Sequence, residues 1–186
     1  MKLLTLTISE LKGYLQEFKG PELHDFLLTF KVSKNESIQT FFCKQAIMRD
    51  EEDALRTFVV LDLENDNSIV GFFSLTITNR IFSDGVSKNQ MKRISSKAAK
   101  DRMFTSILIS KLGRSDFYKG KISGEEIMRI ALDKSYEIYL NSGLKHVCVD
   151  YYDNRQLEMF YLEECSFLKY QYDQESRMNY CFYKFT

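Results

Sequence analysis

The chain has 186 residues and a mass of 21.9 kDa, with 44% hydrophobic and 28% charged residues, which fits one soluble domain with a substantial core. Its 26 basic and 26 acidic side chains cancel, which argues against a surface built throughout for nucleic acid but leaves room for a local basic patch. No segment approaches ~18 uncharged apolar residues, and no long apolar run follows a charged start, so neither a membrane span nor a signal peptide is expected.

In chain order, Leu3 to Thr7 reads as a short strand. Thr7 and Glu10 have capping-box spacing, and Leu11, Tyr14, Leu15 and Phe18 follow at helical intervals. Gly20-Pro21 interrupts, and Leu23, Phe26, Leu27 and Phe30 form a second, shorter apolar pattern. Ser33 with Glu36 has the spacing of another capping box, before a helix lined by Ile38, Phe41, Phe42 and Ala46 that ends near Asp50-Glu51-Glu52-Asp53. Thr57 to Leu63 and Ile69 to Thr78 are strand-like and joined by Asn65-Asp66-Asn67, the pattern of a hairpin. Residues 81–103 read as polar and irregular. Phe104 to Leu112 is a further strand, and Gly124 to Asn141 a long helix with Gly143 at its C′ position. Lys145 to Tyr151 is a strand, Asn154 to Glu164 a helix, and Phe167 to Tyr172 with Met178 to Phe185 a closing strand pair. Strands alternate with helices in the middle of this order, while the ends look antiparallel. The expected fold is a single α/β domain over 1–186, with a mixed, mostly antiparallel sheet of about six to seven strands flanked by helices on both faces.

Four cysteines, Cys43, Cys148, Cys165 and Cys181, lie in apolar stretches without CxxC spacing, so buried free thiols and a cytoplasmic setting are expected. Two histidines far apart suggest no metal site.

The chemistry concentrates between Ser106 and Ile127, where a buried strand runs into a loop with three glycines, Gly113, Gly120 and Gly124, and the loop opens the long helix. Backbone N–H groups at such a helix start, with the helix dipole and Lys119 and Lys121 beside them, suit a phosphate or pyrophosphate. It is neither a Walker loop nor a Rossmann fingerprint, and an ordinary strand–helix loop has the same spacing.

The segment Lys119-Gly120-Lys121-Ile122-Ser123-Gly124-Glu125-Glu126 resembles the acetyl-CoA loop of the GNAT N-acetyltransferase family, with Lys119 for the usual Gln/Arg and Ile122 for the first glycine. Asn154 through Phe160-Tyr161 to Ser166-Phe167 resembles that family's terminal helix signature, with Ser166 where glycine is usual. Phe30 to Phe42 and Ile69-Val70-Gly71-Phe72-Phe73-Ser74-Leu75 are similar to segments of the branch whose members acetylate aminoacyl-tRNA as toxins. The resemblance covers about residues 28–172. It implies acetyl-CoA as cosubstrate, direct attack by a primary amine, and Tyr161 as general acid to the departing thiolate; a phenol with a reference pKa near 10 holds its proton at pH 7. It further implies pantetheine contacts at Lys111, Leu112 and Asn154, and pyrophosphate contacts from Lys119, Gly120, Lys121, Ser123, Gly124 and Glu125. Asn154 has a plain alternative as a helix cap, and Tyr161 as a packing aromatic.

The general base is open among Glu64, Asp150 and Glu158. Lys88, Lys92, Arg93, Lys97 and Lys100 carry no acid between them, which fits either an RNA-binding patch or a solvated loop. Aminoacyl-tRNA, a protein or small amine, an antitoxin and a homodimer are the partners compatible with this reading. A non-catalytic module that binds CoA or a protein partner is the alternative class.

Overall fold

The computed structural model describes residues 1–186. Its first turns follow local sequence: β1 (Leu3–Thr7) leads into α1 (Ile8–Glu17), and Thr7 caps that helix in a complete capping box with Glu10. α2 is Leu23–Leu27. α3 (Glu36–Thr40), a π-helical segment (Phe41–Gln45) and α4 (Ala46–Glu51) follow one another without a gap. The hairpin is β2 (Arg56–Asp62) and β3 (Ser68–Ile81), and its turn places Asp66 and Asn67 at φ 49° and 55°, the left-handed pair such a turn needs. Then come α5 (Lys88–Ile94), α6 (Ser96–Asp101), β4 (Met103–Arg114), a short 3-10 turn (Asp116–Tyr118), α7 (Gly124–Ser142), β5 (His146–Tyr152), α8 (Arg155–Glu158), a π-helical segment (Met159–Glu164), β6 (Leu168–Asp173) and β7 (Met178–Lys184).

The sheet has seven strands in the order β1-β2-β3-β4-β5-β7-β6. β4 and β5 are parallel, with Ile107 opposite Val147 and Leu108 opposite Cys148, while β1–β2, β2–β3, β5–β7 and β6–β7 are antiparallel. The expected α/β class and strand count therefore hold.

The chain divides into two units, Met1–Thr76 with Lys111–Ile127, and Ile77–Ser110 with Met128–Thr186. In the first, Leu11, Leu15, Leu27, Phe30, Phe42, Val59, Leu61 and Phe72 build the core. Phe72 stacks on Phe42 at 4.2 Å and meets Phe30 edge-on at 5.4 Å. Asp50 closes α4 onto β2 by accepting from Thr57 N at 2.9 Å and Arg56 Nη1 at 2.6 Å. In the second unit, Phe82, Met91, Ile94, Phe104, Cys148, Tyr170 and Phe182 share a core. All four cysteines are buried and none forms a disulfide.

Two expectations are corrected. Residues 81–103 are not irregular. Ser87 and Gln90 form a capping box for α5, and Ser95 caps α6 by accepting from Ala98 N. These short helices bury Met91, Ile94, Ala98 and Ala99, and that burial fixes a segment whose polar composition hides its helical period. Ser33 is not a helix cap. Asn35 caps α3, and both Ser33 N and Ser33 Oγ donate instead to Asp116 Oδ2 at 2.7 Å.

Candidate functional site

In the first unit, the stretch from Lys111 to Ile127 is held by its own side chains. Gly113, read as a loop glycine, lies buried within β4. A Cβ there would approach Phe72 to 2.7 Å and Ile38 to 2.8 Å, so its glycine serves close packing. Ser115 N donates to Val70 O at 2.8 Å, and Asp116 N to Lys31 O at 2.7 Å. The bonds from Ser33, its backbone N–H first, hold the Asp116 carboxyl below the ordinary carboxylate range. Tyr118 is the anchor. Its ring is buried, and its Oη meets Asp62 Oδ2 at 3.1 Å, Asn65 Nδ2 at 3.0 Å and the Ser68 hydroxyl. The turn is thereby tied to the tip of the β2–β3 hairpin. Ile122, standing where the family has glycine, is also buried, and Arg114 Nη1 donates to its carbonyl at 3.0 Å.

These bonds narrow the set of phosphate donors. Lys119 N donates to Asp116 O, and Lys121 N and Ile122 N to Tyr118 O. Ser123 N donates to Glu126 Oε2 at 2.7 Å while Ser123 Oγ accepts from Glu126 N at 3.0 Å, a capping box at the start of α7. Glu126 is therefore part of the cap. The N–H groups of Gly124 and Glu125 fall in the first turn, where a helix offers no internal acceptor. Gly120 sits beside them at φ 80° with open space around its α-carbon. The side chains of Lys119 and Lys121 are exposed, with Lys121 Nζ over the Tyr118 ring at 5.6 Å. Lys111 sends its ammonium over the Phe41 ring at 5.6 Å, and Leu112 is half-buried. A cavity of about 420 Å³ is lined by Lys31, Val32, Ser33, Glu36 and Gln39.

In the second unit, Asn154 Oδ1 accepts from Gln156 N at 2.8 Å and Leu157 N at 3.2 Å, so it caps α8. Tyr161 follows in the π-helical segment, half-buried. Its ring stacks on Tyr151 at 5.0 Å and 23°, and meets Phe160 and Phe167 edge-on. Burial pushes its phenol up to about 12, with Cys165, Cys181 and Asp150 adding to the shift. Burial likewise pushes the nearby thiol of Cys181 up to about 12. Ser166 adopts φ 59° as the segment ends, and Phe167 N returns to Tyr161 O at 2.9 Å. The backbone thus takes the glycine-like shape that a serine tolerates less well.

The three carboxylates open for the base role separate. Glu64 sits 2.9 Å from the Met1 amino group. Glu158 lies 3.9 Å from Lys169 on the surface. Asp150 is locked against Arg80, a residue that sequence reasoning did not single out. The signal was a lone arginine on the inward-facing alternation of β3. On α5 and α6, Lys88, Lys92, Arg93, Lys97 and Lys100 are all exposed. No metal-holding group of three or more His, Cys, Asp or Glu side chains is present, and no helix is long and apolar enough to cross a membrane.

No protein-family model matches the sequence, and no curated protein matches it either. Solved structures match the fold. AtaT complexed with acetyl-methionyl-tRNAfMet aligns with TM-score 0.71 at 12% identity, covering 98% of this chain and 95% of that one. A tyrosine-to-phenylalanine mutant of KacT aligns with TM-score 0.71 at 18% identity, covering 99% and 95%. An AtaT mutant toxin bound to acetyl-CoA and the C-terminus of the antitoxin AtaR aligns with TM-score 0.61 at 13% identity, covering 83% of each chain. The architecture is the GNAT fold expected from the sequence.

Proposed function

We propose that the chain, as one domain over 1–186, is an N-acetyltransferase that moves the acetyl group of acetyl-CoA to a primary amine. The observation that carries this is the α7 start: Gly120, Gly124 and Glu125 offer N–H donors beside Lys119 and Lys121, on a turn fixed by Tyr118. Preorganised donors at the start of a 19-residue helix suit the pyrophosphate of CoA. Lys111 and Leu112 on β4 would offer backbone groups to the pantetheine amides. Asn154 keeps its capping bonds and can still donate through its amide nitrogen. Ser123 shapes the helix start, its N–H donating to the Glu126 carboxylate and its hydroxyl oxygen accepting from Glu126 N, which leaves its O–H to donate to a phosphate.

The chemistry is direct attack of the amine on the thioester, with Tyr161 supplying the proton to the CoA thiolate. Burial that keeps the Tyr161 phenol protonated supports that role. The acceptor we favour is the amino group of an aminoacyl-tRNA, which would make the protein a cytoplasmic toxin with an antitoxin partner. The exposed cations of α5 and α6 support this reading. They have no acidic partner, and they stand on a folded scaffold in a chain of zero net charge. AtaT, similar in fold, is complexed with acetyl-methionyl-tRNAfMet, and an AtaT mutant toxin binds the C-terminus of the antitoxin AtaR.

Isothermal calorimetry with acetyl-CoA, followed by thiol release with charged tRNA and with a small-amine panel, tests the proposal. Binding with acceptor-dependent thiol release is expected. Absence of binding at ~1 mM acetyl-CoA contradicts the enzyme and the CoA-binding module alike. Binding without thiol release favours the non-catalytic module.

A further inference from the structure

We infer that Asp150 is the carboxylate that takes a proton from the acceptor amine, with Arg80 as its positioning residue; this rests on the acetyl-transfer reading above. The geometry is specific. Arg80 Nη1 donates to Asp150 Oδ2 at 3.0 Å and Nη2 to Oδ1 at 2.5 Å, a bidentate pair. Arg80 Nε donates to Tyr170 Oη at 3.1 Å, and the guanidinium lies over the Tyr180 ring at 5.1 Å. Arg80 stands on β3 and Asp150 on β5, with β4 between them in the strand order, so the side chains span a strand to meet.

A pair kept for stability alone has no need of this arrangement, because apolar residues of similar volume often do as well. Two further facts point to use. The Asp150 side chain retains 21% exposure while Arg80 retains 10%, so the carboxylate is the more open partner. Asp150 also acts on Tyr161, whose proton affinity it raises. The groups around Asp150 are Arg80 on β3, Cys148 and Tyr151 on its own strand, Tyr170 on β6, Tyr180 and Cys181 on β7, and Tyr161. Among these only Arg80 is charged. Burial raises the Asp150 carboxyl above its ordinary value, and Arg80 offsets this only in part. The carboxylate therefore stays basic despite its ion pair.

The step balances. The acceptor ammonium gives one proton to Asp150, and the freed lone pair attacks the thioester carbon. A C–N bond forms and the C–S bond breaks, with its electron pair leaving on sulfur. The thiolate takes the Tyr161 proton. The second proton lost from nitrogen restores Tyr161, and Asp150 releases its own to solvent, so one proton is produced per turnover.

The test is the pH dependence of kcat/KM for the wild type, Asp150→Asn, Arg80→Gln and Glu158→Gln, with calorimetric acetyl-CoA affinity showing that each variant is folded. Asp150→Asn should lose ~100-fold or more and lose the acidic limb, with acetyl-CoA affinity changed by no more than about twofold. Arg80→Gln should move the acidic limb to higher pH, because the guanidinium no longer favours the ionised carboxylate. Glu158→Gln should match the wild type. Asp150→Asn within about threefold of wild type overturns the inference. An acidic limb unmoved in Arg80→Gln does so too, and that variant decides the matter if Asp150→Asn does not fold. A wild type that binds acetyl-CoA yet never turns over sinks the acetyl-transfer reading, and this role with it.

Discussion

Replacing Tyr118 with Phe removes one hydroxyl and nothing else from the turn before α7. That hydroxyl is buried and meets three partners on the hairpin tip: Asp62, Asn65 and Ser68. A hydrogen bond to a charged group contributes ~1.5–3 kcal/mol and a neutral one ~1, and Asp62, itself buried, would lose a donor. The expected loss is about 3 kcal/mol, and at ~2–4 °C per kcal/mol for a chain of this length the melting temperature should fall by roughly 6–12 °C. The turn carrying Gly120 and the α7 start hangs on this anchor, so acetyl-CoA affinity should weaken as well. Urea unfolding gives the free energy and calorimetry the affinity. A loss below about 0.5 kcal/mol, the range of ordinary surface changes, would refute the anchoring role.

Other outcomes follow from single residues. Tyr161→Phe should lower turnover more than ~10-fold with acetyl-CoA affinity nearly unchanged, and stopped-flow thiol release checks it. Ser166→Gly should stabilise by about 0.5–1 kcal/mol in urea unfolding, because φ 59° suits glycine. Burial and the neighbouring Lys184 and Lys145 lower the His146 pKa below its ordinary value of 6.5. The unfolded chain then binds a proton more readily than the folded one, so stability should drop as pH falls below about 6.5, and His146→Phe should flatten that part of the melting-temperature profile. Reversing Lys92 and Arg93 to Glu together should weaken use of charged tRNA and reduce its salt slope by about 2, while a small amine is acetylated as before.

What could be read from sequence was mostly what is decided locally. The Thr7–Glu10 capping box, the hairpin turn at Asn65 to Asn67 and the left-handed Gly143 (φ 76°) each depend on neighbours within a few residues. Ser33 and Glu36 carry the same spacing signal, yet Ser33 is drawn away by Asp116, 83 residues on. α5 and α6 were hidden because five exposed cations dominate their composition, although the Ser87–Gln90 pair was a visible cap. The loop was recognisable by its glycines, and Gly124 as the helix start, but the roles of the other two were not: Gly113 packs a strand and Gly120 turns the chain. Tyr118 and Arg80 were missed for one reason: their partners lie 50 to 90 residues away, and pairing at that distance leaves no periodic trace. The Ile122 and Ser166 departures from the family pattern both have local accounts, one in a buried side chain and the other in a left-handed backbone.

The central claim is acetyl transfer to an amine, and mass spectrometry of charged tRNA after incubation with labelled acetyl-CoA tests it most directly. Wild-type protein should place the label on the aminoacyl nitrogen, and Tyr161→Phe should slow that product well over tenfold. Charged tRNA recovered without label, from protein that binds acetyl-CoA, would contradict the favoured acceptor. The same blank across the small-amine panel would contradict the enzyme.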